Sequence, residues 1–164
     1  MFPEVVTVGM VLGANKTAAV CITHIAVYPS GLIVALMTLR RDTRDLRDLS
    51  DPHLASPHAS PRTVDDDSEE TLGFGVGFSN GSFAVSEAAT SFDPRGDSVE
   101  VKIRRLGGRG SYVKWEQEYW VWPIPPPGEV RFICEWKTAE IQEGEVRLDA
   151  ATLRHASRRA IKIF

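Results

Sequence analysis

The sequence predicts an all-β fold, mainly an antiparallel β-sandwich of immunoglobulin or jelly-roll type, closed by a short C-terminal α-helix. Two observations predict it. Short runs rich in Val, Ile and other strand-forming residues recur along the 164-residue chain, with turn signals between them. No helical pattern separates those runs, as the crossovers of a parallel α/β sheet would require, and the one helix-like segment stands at the C-terminal end.

Val5 to Leu12 and Ala18 to Tyr28 read as two strands joined by the turn Gly13-Ala14-Asn15-Lys16. Pro29-Ser30-Gly31 turns the chain into a third strand, Leu32 to Leu39. Between Arg40 and Thr71 sustained apolar periodicity ends, and Pro52, Pro57 and Pro61 gather among Asp, Ser and Arg. That composition predicts an exposed, flexible insertion over 40–71. Its first part sets Arg41 with Asp45 and Arg44 with Asp48 at the i,i+4 spacing of a frayed helical turn. Its end, Asp65-Asp66-Asp67-Ser68-Glu69-Glu70, lacks the spaced ligands and glycine of a calcium loop and reads as a solvated charge run.

From Thr71 to Phe78 strand character returns, with Phe74, Val76 and Phe78 on one face and Gly73, Gly75 and Gly77 on the other. Glycine at each outward position predicts that another backbone or a large side chain lies close. Asn80-Gly81 is a hairpin signal leading into Ser82 to Ser86. After the turn Asp93-Pro94-Arg95-Gly96, Ser98 to Leu106 alternates, with Val99, Val101 and Ile103 inward and Glu100, Lys102 and Arg104 outward. Gly107-Gly108-Arg109-Gly110 reads as a loop, and Tyr112 to Val121 resumes the strand until Pro123, Pro125, Pro126 and Pro127 stop it. Val130 to Trp136 puts Val130, Phe132, Cys134 and Trp136 on one face. A short strand around Val146 and Leu148 leads to Asp149, a good N-cap for a helix over Ala150 to Ala160. Leu153, Ala156, Ala160 and Ile161 form its apolar side, and basic residues near its C-terminal end complement the helix dipole.

A hydrophobic fraction of 43% suffices for the core of one domain over 1–164, with the insertion as its appendage. A net charge of -3 gives no global attraction to nucleic acid or anionic lipid, and the basic end with Arg154, Arg158, Arg159 and Lys162 brings no groove-reading motif. Leu32 to Met37 is too short to cross a bilayer. The start, MFPEVVTVGMVLG, does not read as a secretory signal, so a cytoplasmic location is expected. Cys21 and Cys134 stand in alternating apolar runs outside any C-x-x-C or Cys/His cluster, which predicts buried, reduced thiols; were their strands adjacent, a disulfide would be open to them.

The segment WEQEYWVWPIPPPGEVRFICEW resembles a family of uncharacterised actinobacterial proteins with the pattern W-x-Q-x-[FY]-W-V-W-P-L-P-P-P-G-x-[LV]-x-F-[VI]-C-E-W. The likeness rests on Trp115, Gln117, Tyr119, Trp120, Val121, Trp122, Pro123, Pro125 to Gly128, Phe132, Cys134, Glu135 and Trp136. Phe74 to Gly81 is similar to that family's F-G-V-x-F-x-[DN]-G segment and Tyr28 to Gly31 to its Y-P-x-G turn. Of the family's glycine-rich run only Gly107, Gly108 and Gly110 are present, interrupted by Arg109. The resemblance implies relatives and carries no activity with it.

All four tryptophans lie between Trp115 and Trp136. On a regular strand Trp120 and Trp122 share one face with Lys114, Glu116 and Glu118, and Trp115, Tyr119 and Val121 share the other. Either one face is core and the other a platform for a sugar, a peptide or a protein, or both faces are covered. The candidate ligand-binding residues are therefore Trp120, Trp122 and Lys114, with Arg109 placed to meet an anion. Pro123 to Pro127 reads as a rigid connection or a polyproline II ligand. His24, His53, His58 and His155 occur in separate settings, so no catalytic or metal set is assembled and no cofactor is expected. The expected function is a non-enzymatic binding or assembly module for another protein or for self-association. The alternatives are a carbohydrate-binding sandwich on Trp120 and Trp122, and a hydrolase with His24 or His155 in a cleft.

Overall fold

Alternating apolar residues pair into two antiparallel sheets in the computed structural model, which describes residues 1–41, 72–86, 101–111 and 113–161. The insertion beyond Arg41, with His53, His58 and the acidic run, lies outside the described residues, as do the Asp93 to Gly96 turn, Val99, Glu100 and Tyr112. The first sheet holds β1 (Glu4–Ala14), β2 (Ala18–Val27), β3 (Leu32–Arg40), β6 (Lys102–Gly110) and β7 (Lys114–Trp122), in the order β1-β2-β3-β7-β6. The second holds β4 (Leu72–Gly77), β5 (Phe83–Val85), β8 (Glu129–Trp136) and β9 (Ile141–Asp149), in the order β5-β4-β8-β9. Helix α1 (Ala150–Arg159) follows β9 directly. This is the expected all-β sandwich with a short C-terminal helix. No described helix is long and apolar enough to cross a membrane.

The core lies between the sheets. Val20, Ile22, Ile25, Val27, Leu32, Val34, Leu36, Tyr119 and Val121 face Leu72, Phe74, Val76, Val130, Phe132, Cys134 and Trp136. A register shift between Ile22 and His24 inserts a residue into β2, which is why Ile22 and Ile25 both point inward. Phe74 stacks on Phe132 and tilts against Tyr119, forming a buried aromatic cluster. The glycine face of β4 is covered as expected: a Cβ on Gly75 or on Gly77 would lie 3.0 Å from the Phe83 ring. At one side of the sandwich β1 crosses β9. There a Cβ on Gly13 would meet Ile141 Cγ2 at 2.8 Å, and one on Gly144 would strike the Leu12 carbonyl.

Three elements differ from expectation. The segment Gly107 to Gly110 is strand rather than loop, because it pairs with β7 from Gly107 opposite Glu118 to Gly110 opposite Trp115, and a Cβ on Gly108 would sit 2.6 Å from Trp115 Nε1. The short strand around Val146 is long, because its pairing with β8 runs from Glu129 opposite Asp149 to Trp136 opposite Ile141. The helix stops at Arg159, and Ile161 is exposed, bridged to Phe2 through mutual backbone hydrogen bonds. Asp149 does cap α1, its side chain accepting from Ala151 N at 2.8 Å. Leu153 and Ala156 are buried, and Arg159 pairs with Glu4 at 3.1 Å, so the helix seals the sandwich beside β1.

Candidate functional site

The two faces of β7 have opposite fates. Gln117, Tyr119 and Val121 point into the core, where the Tyr119 hydroxyl donates to Gln117 Oε1 at 2.7 Å. Lys114, Glu116, Glu118, Trp120 and Trp122 point outward, as the strand period requires. Register then decides their neighbours. On the outer face one cross-strand row reads Cys21, Met37, Glu116, Arg109, and the next reads His24, Ala35, Glu118, Gly107. A third reads Ala26, Ile33, Trp120, Arg104, and Lys102 lies opposite Trp122.

Ala35 and Gly107 are too small to fill the second row, so a trough of about 640 Å³ opens there. His24, Met37, Arg109, Lys114, Glu116 and Glu118 line it. Glu116 is flanked by two cations, Arg109 Nε at 3.3 Å and Lys114 Nζ at 3.7 Å. The Arg109 side chain is 88% exposed, and such surface pairs contribute at most about 1 kcal/mol. Thr23 Oγ1 lies 3.1 Å from His24 Nδ1 and 3.4 Å from the Ala35 carbonyl.

The tryptophans stand elsewhere on the same face. Trp122 is 42% exposed, with Lys102 Nζ 5.8 Å from its ring centre. Trp120 is half-buried. Its ring meets Tyr28 edge-on at 5.6 Å and covers Gly31, where a Cβ would lie 2.7 Å from Trp120 Cζ2 and 2.6 Å from the Val121 carbonyl. From Glu116 to Trp122 the strand runs about 20 Å, so Arg109 and Lys114 border the trough while the two indoles occupy the far end. The chain places the four expected binding residues on one face but not in one pocket. Lys102, Arg104 and Leu106, the last 49% exposed, join them there. The outward alternation of Lys102 and Arg104 is visible in the sequence, but their pairing with Trp122 and Trp120 is not.

The chain matches no family model, no curated protein and no solved structure.

The other candidate groups are structural. The proline segment links β7 to β8, with Ile124 packed on the core and the Pro125 carbonyl accepting from Arg154 Nη1 at 3.1 Å. Pro127 accepts from Ser79 Oγ at 2.7 Å. Cys21 and Cys134 are free thiols on different sheets. Burial raises the pKa of both, that of Cys134 to about 12, so neither is activated as a nucleophile. His155 is exposed on α1. Among the described residues no group of three His, Cys, Asp or Glu is placed to hold a metal ion.

Proposed function

We propose that this chain is a non-enzymatic binding module that receives another protein on the outer face of the β6 and β7 pair. The supporting observation is exposed Trp122 and Leu106 on one face with Lys102, Arg104 and Arg109, where β7 turns its opposite face into the core. Trp and Arg are the residue types that carry most interface energy, and a strand anchored by Tyr119 and Val121 presents them with little ordering cost. The likeness of Trp115 to Trp136 to the actinobacterial family belongs to this reading, because those residues build β7, the proline link and β8 as one unit. Two free thiols suit a reducing, cytoplasmic setting.

The test is quantitative capture with the intact chain and its Trp122→Ala and Arg109→Glu variants, followed by reconstitution with the purified partner. The expected result is a partner, or a second copy seen by light scattering, bound at least about tenfold more weakly by each variant. Equal binding by all three proteins would overturn the proposal. Binding of an oligosaccharide with quenching of Trp122, in place of a protein, would move the function to carbohydrate recognition.

Hydrolysis in the trough is a second reading, favoured by the short distance from Thr23 Oγ1 to His24 Nδ1. Against it, β3 and β7, which floor the trough, are paired in register on both sides over that stretch, so their N–H groups are engaged in the sheet ladder. Turnover of an ester or amide panel that disappears in His24→Ala would favour it.

A further inference from the structure

We infer that a cleft where α1 meets the proline link binds the phosphoryl group of a small anion, a phosphate monoester or free phosphate. The site shares no residue with the outer face of β6 and β7. The Gly128 carbonyl accepts from Ala150 N at 2.8 Å, which fixes the link against the start of the helix. Between them opens a cleft of about 420 Å³, the size of a small-molecule site. Pro127 and Gly128 line it from the link, and Arg154, His155 and Arg158 line it from the helix.

The charges around the cleft lack partners. Arg109, Arg131, Arg147 and Arg159 are each paired with a glutamate, whereas Arg154 and Arg158 are paired with none. Among the described residues His155 and Arg158 also have no side-chain hydrogen bond. Arg154 and Arg158 stand four apart on one helix face, where like charges repel unless an anion lies between them. Arg154 is half-buried and donates from Nη1 to the Pro125 carbonyl at 3.1 Å, so its guanidinium is oriented before a ligand arrives and keeps its other N–H groups to offer. Two guanidinium forks suit the several oxygens of a phosphoryl group. The helix N-terminus is not the binding group, because Asp149 already accepts from Ala151 N. Asp149 lines the cleft as well, so an anion that brings a proton on oxygen is favoured there. A phosphoryl group, with a second pKa of about 6, has such a proton to give, and a carboxylate has none.

The experiment titrates the isotopically labelled full chain with glycerol phosphate, inorganic phosphate and acetate at matched ionic strength. The expected result is saturable amide shifts at Gly128, Ala151 and Arg154 to Arg158 with the phosphates and none with acetate. Arg158 is exposed, so its replacement leaves the core intact. Arg158→Glu is expected to weaken binding by more than about tenfold and Arg158→Gln by about threefold or more, whereas Arg147→Gln, a cation outside the cleft, leaves it unchanged. Tighter binding of glycerol phosphate assigns the site to an ester, and tighter binding of inorganic phosphate assigns it to the free ion. Shifts that grow without saturating, equal binding by Arg158→Glu, or acetate bound as tightly as phosphate would each overturn the inference.

Discussion

Truncating Tyr119 and Trp122 to alanine, two large side chains on one strand, separates core from surface. Tyr119 is 2% exposed, packs on Phe74 with ring centres 4.9 Å apart, and donates to the buried Gln117. Removing it leaves a cavity between the sheets and an acceptor without its donor, a loss of about 4 kcal/mol. Trp122 keeps much of its ring in water, and its contact with Lys102 contributes about 0.5 kcal/mol at an exposed site, so Trp122→Ala costs about 1 kcal/mol or less. Urea unfolding followed by circular dichroism reads the difference. With a slope of about 2 kcal/mol per molar, the midpoint falls by about 2 M for Tyr119→Ala and by no more than about 0.5 M for Trp122→Ala. A midpoint shift for Trp122→Ala as large as that for Tyr119→Ala would refute the argument, because the indole would then be part of the core.

Cys134 keeps its proton in the fold up to a pKa of about 12, against an ordinary value of 9.0, because burial penalises the thiolate. The unfolded thiol ionises first, so its contribution to stability is complete below pH 9 and is lost as the pH rises towards 12. Urea midpoints compared at about pH 8 and about pH 10 are expected to fall less in Cys134→Ala than in the parent chain. Asp149→Ala removes the side-chain acceptor for Ala151 N and is expected to cost about 1 kcal/mol in the same assay. Gly31→Ala forces a methyl group against the Val121 carbonyl and the Trp120 ring, so a loss of about 1–3 kcal/mol with a changed near-ultraviolet signal from Trp120 is expected.

Most of the scaffold was legible because strand period and turn chemistry are local. Phe74, Val76 and Phe78 alternate with glycines, Asn80-Gly81 turns the hairpin, and Asp149 caps the helix, each through contacts a few residues apart. The Gly107 to Gly110 segment misled for the same reason. Glycine next to glycine signals a loop locally, whereas here it makes room for an indole from the next strand. The length of β9 was equally hidden, since Gln142 and Glu143, both exposed, break the alternation at a register shift that only the pairing with β8 reveals.

The sequence by itself determined that β7 has two unlike faces, with Trp120, Trp122 and Lys114 on one and Tyr119 and Val121 on the other, because successive side chains on a strand point opposite ways. Only the tertiary structure decided which face is core. The second sheet covers Tyr119 and Val121, whereas Trp122 is left beside Lys102 in solvent. It also separated the indoles from Arg109 and Lys114. Register between strands distant in sequence sets that distance, and register depends on pairing partners that no local pattern names.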